Sequence, residues 1–319
     1  MPLGEFDLIR RFFTRSTPSV ILGVGDDAAL LPVTPGKTLA VSTDMLVSGR
    51  HFFADADPYL LGRKSLAVNL SDMAAMGAKP RWATLSLALP EANANWLTPF
   101  SGGFYAMADE YGVELVGGDT TKGPLNICVQ IMGEVEAALA LRRDGAKAGD
   151  DIWVSGELGG AALALMHLQG KVTLSAADLS RCAQRLHDPT PRVALGLALG
   201  GVAGSGIDIS DGLLADLGHI LQRSGVGAEI QFSQVPHGNE LCDYLDQPLG
   251  QQALLAGGDD YELCFTAAPA QAQTIRNIGH RLAMPLAVIG RINTGRDLIV
   301  RDENGIALDL SSKGFDHFD

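Results

Sequence analysis

TLAVSTD (38–44) and DPYLLGRKSLAVNLSDMAAMG (57–77) decide the fold class. The first reads as a strand over 38–43, apolar and β-branched, that ends at a carboxylate, Asp44. In the second, Asp57 caps a helix, Pro58 takes its first position and Gly77 closes it. A strand followed by a long helix points to mixed α and β structure. Ser65, Asn69 and Asp72 stand at i, i+4 and i+7 and make one polar stripe on an otherwise apolar helix. Wet helix faces carry Lys and Glu. This stripe carries neither, so it is expected to face a site.

The pattern continues outward from there. A short amphipathic helix is expected at 4–14 and a strand at 19–24. Further strands are expected at 82–89, 113–116 and 127–135, with a helix at 96–111 ended by Gly112. RRDGAKAGDD (142–151) reads as a domain junction. Beyond it, strands are expected at 152–155, 207–209, 228–232, 261–266, 287–291 and 298–301. Helices are expected at 160–168, 176–186, 192–199, 213–224 and near 269–282. Two domains follow, 1–141 and 142–319, of class α/β (α+β). No short-period repeat or low-complexity segment interrupts them.

The acids share one context: each follows an apolar strand or sits beside glycine. The segments are GVGDDAA (Asp26, Asp27), VSTD (Asp44), NLSDMAAMG (Asp72), LVGGDTT (Asp119), IDISDG (Asp208, Asp211) and AGGDDYEL (Asp259, Asp260). Any one of them is an ordinary turn sequence; six of one type point to a common purpose. Carboxylates at strand ends of one sheet are expected to converge on a cleft. There they repel one another, and Mg²⁺ bound by hard oxygen ligands removes the repulsion. An anionic, phosphate-rich substrate can then bind an acidic protein through the metal. Gly117-Gly118 and Gly257-Gly258 are candidates for a backbone phosphate cradle.

Several other readings fail on particular residues. GVGDDA mimics a dinucleotide fingerprint, but Pro32 forbids the helix that should follow. IDISDG resembles the start of a calcium loop, but His219 stands where the EF-hand requires Glu. There is no GxxxxGK[ST], and no HRD or DFG signature. His51, in SGRHF, is either an ordinary loop histidine or a ligand contact. Trp82 and Trp153 are expected in the core, and Arg143 is either solvated or a phosphate contact.

The chain of 319 residues has 46% apolar and 19% charged residues and a net charge of −13. Length and composition suit a soluble protein able to bury a core without staples. The acidic balance excludes a general nucleic-acid surface. No run of apolar residues is long enough to span a bilayer. The acidic start MPLGEFDLIRRFF lacks a signal core. The four cysteines, Cys128, Cys182, Cys242 and Cys264, form no CxxC pair. Reduced thiols and a cytoplasmic setting are expected.

GEFDLI, GVGDDAALL, STDMLVSGRHF, AVNLSDMAAMGA, GGDTT, GIDISDGLLADLGHI, GGDDYELCF and the terminal KGFDHF occur in this order, from Gly4 to Phe318. Together they strongly resemble the thiamine-monophosphate kinase family. The resemblance implies a two-domain fold shared with aminoimidazole ribonucleotide synthetase. Its N-terminal domain would contribute strands to a β-barrel completed across a homodimer, beside a C-terminal α/β sandwich. It implies ATP as co-substrate and thiamine monophosphate as acceptor. It assigns Asp27, Ser42, Thr43, Asp44, Asp72, Asp119, Asp208 and Asp211 to several Mg²⁺ ions. ATP would meet Gly118, Asp119, Arg143 and Ser210; the acceptor would meet His51, Asp259 and Phe315. Asp44, Asp119 and Arg143 would carry the chemistry. Asp259 stands where the family often has Glu, and Phe315 where Tyr or Trp occurs. The first keeps the charge on a shorter reach; the second keeps a stacking face without a polar handle.

The expected reaction is direct in-line transfer, because a phosphate monoester is already ionised near neutral pH and needs no strong base. Competing functions are an ATP-dependent synthetase of the same fold and a non-catalytic Mg²⁺ or nucleotide binder. Selenophosphate synthesis fits less well, since no cysteine precedes Cys128.

Overall fold

The computed structural model describes residues 4–308 and residue 314. The chain divides into two compact units: Met1–Met73 with Ala78–Ala137, and Ala74–Gly77 with Ala138–Asp319.

The first unit contains α1 (Glu5–Phe12), β1 (Thr38–Val47), most of α2 (Pro58–Ala75), β2 (Lys79–Leu89), α3 (Ala94–Tyr111), β3 (Glu114–Lys122) and β4 (Asn126–Val135). Its sheet runs β1-β4-β2-β3. The β1/β4 and β4/β2 pairs are antiparallel and β2/β3 is parallel. Parallel neighbours need a crossover, and α3 supplies it. Helix α3 begins at Asn93, whose side chain accepts the Asn95 N–H at 3.0 Å, and ends at Gly112 in the left-handed conformation. Helix α2 carries small or apolar residues on nearly every side, and Leu66, Ala67, Leu70 and Met73 are buried.

Two glycines let α2 and α3 touch backbone to backbone. A Cβ at Gly62 would lie 2.1 Å from the Phe100 carbonyl oxygen, and one at Gly103 would lie 1.9 Å from that of Tyr59. On the other side of the sheet, Trp82, Val116 and Met132 are covered by Val20, Ala29, Leu31 and Leu39.

The strand expected at 19–24 does not form. Ser19 is held instead by Glu114 and by the Trp82 indole N–H at 2.9 Å, and only an isolated Leu22–Leu30 bridge follows. Side-chain bonds to Ser19 take the place of a ladder. Strands β1 and β3 also run further than expected, so Asp44 and Asp119 lie inside strands rather than at their ends. Continuous pairing from Thr38–Val135 to Val47–Asn126 carries β1 past Asp44. The β2 ladder carries β3 through the glycine pair, after a bulge beside Ala83 and Thr84. Strands β1 and β3 are the two edges, and no closed barrel forms among the described residues.

The second unit contains β5 (Asp151–Ser155), α4 (Gly160–Leu168), α5 (Ala176–His187), α6 (Val193–Leu199), β6 (Ser205–Asp208), α7 (Leu213–Ser224), β7 (Gly227–Gln231), α8 (Pro248–Ala256), β8 (Leu263–Ala267), α9 (Ala272–Arg281), β9 (Leu286–Asn293) and β10 (Leu298–Arg301). Its sheet runs β10-β7-β9-β5-β8-β6, antiparallel except for β10/β7. Ile152, Val154, Ile207, Ile230 and Ile289 from the sheet pack with Leu163, Leu213, Leu217, Ile220 and Leu254 from the helices. Trp153 is buried and stacks on Phe265 at 6.2 Å. Helix α8 went unread in the sequence, although Pro248 marks its first turn. Strand β8 starts two residues later than expected, because Asp259 and Tyr261 take positive φ and break the extended backbone. Among the described residues no helix is long and apolar enough to cross a membrane.

Overpacking a backbone contact of this kind costs about 1–3 kcal/mol. Gly103→Ala is therefore expected to lower the unfolding free energy by about 2 kcal/mol in a urea titration. An unchanged midpoint would show that α2 and α3 can separate freely.

Candidate active site

The expected site residues fall into two groups, one in each unit. In the first, Ser42 Oγ donates to Asp72 Oδ2 at 2.5 Å, so strand β1 and helix α2 place one hydroxyl against one carboxylate. The Asp72 stripe is otherwise not a site face. Ser65 and Asn69 are buried and bond back to their own helix, to the Gly62 and Ser65 carbonyls. From Leu61 to Ala75 the helix is largely enclosed, so Ser65 and Asn69 turn inward. Thr43 Oγ1 accepts from Gln130 Nε2 at 3.3 Å. Burial, followed by the nearby Asp44 carboxylate, raises the Cys128 thiol. Asp27 is exposed in a turn where its N–H meets Asp26.

Asp44 pairs with Val129 on β1/β4, whereas Asp119 pairs with Ser86 on β2/β3. They thus stand on opposite edge strands, three strand spacings or about 14 Å apart along the sheet. The expectation that these carboxylates converge fails within this unit, because strand order rather than strand-end position sets their separation. Among the described residues no three His, Cys, Asp or Glu side chains form a metal-binding group. Gly118 has φ 149°, and a Cβ there would sit 1.9 Å from the Leu85 carbonyl oxygen. Sheet packing alone therefore demands glycine at that position. His51 Nδ1 accepts the Val47 N–H at 3.0 Å, which puts the proton of a neutral ring on Nε2. Arg143 lies exposed, its carbonyl accepting from Ser224 Oγ at 2.8 Å.

The second group is compact. Asp208 ends β6 and is buried, and Ser210, Asp211 and Gly212 lead into α7. Asp216 Oδ2 accepts the N–H groups of Ser210, Asp211 and Gly212 at 3.0, 3.1 and 3.1 Å. Those donors at a helix start would otherwise suit an anion; here a carboxylate of the chain occupies them. Burial, then the charges of Asp208 and Asp211, push Asp216 up to about 8 against the hydrogen bonds from Asp211 and Gly212.

The GGDDYEL segment lies alongside. Asp259 N–H donates to the Ser210 carbonyl at 2.9 Å, Tyr261 N–H to that of Ile209 at 2.8 Å, and Ile209 N–H to that of Glu262 at 2.8 Å. A Cβ at Gly258 would meet the Ser210 oxygen at 2.3 Å, so the second glycine pair also serves close packing. Asp259 and Tyr261 have φ 68° and 49°, a conformation that costs side-chain-bearing residues about 1–3 kcal/mol each. Below them Glu262 is buried and bound by Arg192 through both Nε, at 2.7 Å, and Nη2, and by Ser155 Oγ at 2.6 Å. Removing one partner of such a buried pair costs about 3–5 kcal/mol, because the other charge is left uncompensated.

All the candidate donors are oxygens. Mg²⁺ keeps several waters and takes one or two carboxylates with substrate phosphates, which suits Asp208 with Asp211 and Asp72 with Ser42. Phe315 lies outside the described residues.

Two family models match in succession: AIR synthase related protein, N-terminal domain, over residues 25–135, and its C-terminal domain over 147–303. A thiamine-monophosphate kinase of Salmonella typhimurium is 42% identical over 322 residues, covering 100% of this chain and 99% of the relative. The chain belongs to the thiamine-monophosphate kinase family. The crystal structure of thiamine-monophosphate kinase from Stenotrophomonas maltophilia is 47% identical, with a TM-score of 0.87 over 97% of this chain and 99% of the other. AaThiL complexed with AMPPCP and TMP is 34% identical, with a TM-score of 0.78 over 99% and 97%.

Reading the sequence as a thiamine-monophosphate kinase relative missed Asp216, Arg192, Tyr261 and Glu262. Asp216 lies inside the quoted GIDISDGLLADLGHI and matched the helix pattern, so nothing marked it apart. Asp260 was seen only as a partner of Asp259. Its carboxyl is enclosed: Oδ2 accepts the Gly159 N–H at 2.9 Å, and Oδ1 has no partner among the described residues.

Burial is the main reason Asp260 is pushed up to about 8, far above its ordinary value near 4. The folded state therefore holds this proton more tightly than the unfolded chain. Its contribution to stability is fully present below about pH 4 and is lost as the pH climbs towards 8. Asp260→Asn cannot ionise. The Tm difference between variant and parent is expected to move in favour of the variant between pH 5 and pH 8, and a pH-independent difference would contradict the buried acid.

Proposed function

We propose that this chain transfers the γ-phosphoryl group of ATP to thiamine monophosphate, giving ADP and thiamine diphosphate. The observation that carries this reading is likeness over nearly the whole of both chains to AaThiL complexed with AMPPCP and TMP. AMPPCP replaces the β–γ bridging oxygen of ATP with a methylene, so that complex holds an ATP analogue together with TMP.

The acceptor phosphate attacks in line, and no phospho-enzyme forms. Bound Mg²⁺ supplies neutralisation of the phosphate oxygens and of the charge that spreads in the transition state. Asp27, Ser42, Thr43, Asp44, Asp72, Asp119, Asp208 and Asp211 are the proposed holders. In this reading Asp44 and Asp119 hold separate ions, which their places on opposite edge strands support. Gly118, Asp119, Ser210 and Arg143 meet ATP, with Arg143 offsetting transferred charge. His51 presents Nε2–H to the acceptor, Asp259 brings a carboxylate towards its cationic thiazolium ring, and Phe315 offers a ring face. Burial and hydrogen bonding of Asp216 fix the backbone from which Ser210 and Asp211 project.

In this reading, residues 1–141 form the domain for ATP, Mg²⁺ and dimer formation, and 142–319 the C-terminal domain. A homodimer is supported by the open edge β1, where Val41 and Met45 stand exposed, and by the exposed Ile21, Leu30 and Val33 elsewhere in the same unit. Free Cys128, Cys182, Cys242 and Cys264 suit a reducing cytoplasm.

Incubation with MgATP and thiamine monophosphate is expected to yield thiamine diphosphate, identified by mass. Release of inorganic phosphate without it would sink the assignment. Asp44→Asn and Asp119→Asn should each cut turnover by at least about a hundredfold with unchanged circular dichroism. Near-normal turnover in either variant would remove that residue from the metal set.

A further inference from the structure

Three consecutive residues after Asp259 are tied to three different parts of the second unit. Asp260 reaches the Gly159 N–H at the start of α4, and the Tyr261 N–H donates to the Ile209 carbonyl after β6. Glu262 is gripped by Arg192 ahead of α6 and by Ser155 at the end of β5. Along this segment the backbone makes two left-handed residues, Asp259 and Tyr261, which only a constrained turn retains. The turn carries Tyr261 back over Asp259, so that Tyr261 Oη donates to Asp259 Oδ1 at 3.1 Å. A tyrosine in this conformation is rare, and here it accompanies the contact between residues 261 and 259. The short Asp259 side chain turns about two bonds, and a charge-assisted hydrogen bond favours one orientation of its carboxylate.

We infer that Tyr261 is a positioning residue for acceptor recognition: its hydroxyl orients the Asp259 carboxylate, and the Arg192–Glu262 pair holds the backbone that puts the hydroxyl there. This rests on the proposed kinase reading, in which Asp259 meets the cationic ring of thiamine monophosphate. Tyr261 itself touches no substrate. Its effect appears in acceptor binding and leaves ATP binding and the transfer step alone.

The test is steady-state kinetics of the full chain with MgATP and thiamine monophosphate. A parent that makes no thiamine diphosphate would overturn the kinase reading and this inference with it. With an active parent, Tyr261→Phe, which keeps the ring, is expected to raise KM for thiamine monophosphate about tenfold. KM for ATP and Tm should stay at parent values. In an Asp259→Asn background, the same change should add nothing. Arg192→Lys, which keeps the charge but loses the two-point grip, should raise the same KM at least about threefold and decides the matter if Tyr261→Phe does not fold. Three outcomes overturn the inference while leaving the kinase reading intact. These are an unchanged acceptor KM, equal rises in both KM values with a lowered Tm, or additive effects in the double variant.

Discussion

Carboxylates brought together in a poorly hydrated setting repel one another unless a proton, a cation or hydrogen-bond donors offset the charge. Around the start of α7 and the GGDDYEL turn the protein uses several of these remedies at once. Asp216 draws three backbone N–H groups around itself. Asp260, enclosed with one donor, is pushed towards its protonated form. Glu262 is closed off by the Arg192 guanidinium. Asp208 and Asp211 contribute the charges that raise Asp216. Each acid thus has a different means of neutralisation, and the differences divide structural acids from candidate ligands.

Close backbone packing is the second constraint. Gly118, Gly258, Gly62 and Gly103 each stand where a Cβ would strike a carbonyl oxygen. The glycines beside the aspartates bring segments of chain near enough to place those aspartates. A direct role as phosphate cradles is not needed to explain them. The same closeness lets Ser210 and Asp259, 49 positions apart in sequence, share a hydrogen bond.

The regular elements were legible where a periodic pattern coincided with a cap or a glycine stop, as in α3 and α7. They were illegible where side-chain bonds replaced a ladder, at Ser19, or where left-handed residues interrupted one, at Asp259 and Tyr261. Among site residues, Asp208, Asp211 and Asp259 were legible as acids in one glycine-rich context, and their grouping appears in the fold. Ser65 and Asn69 read as site-facing because helical spacing reports a shared face but not what covers it. Asp44 and Asp119 read as convergent because each follows an apolar run, and sequence does not disclose which strands are neighbours.

By itself, then, the amino-acid order determined the class of fold and the kinship, since these follow from local periodicity and from motif segments that stand in one order along the chain. Only the tertiary structure decided which acids are ligand candidates and which are buried supports. That distinction depends on strand order and on desolvation, and both arise from contacts between residues far apart along the chain.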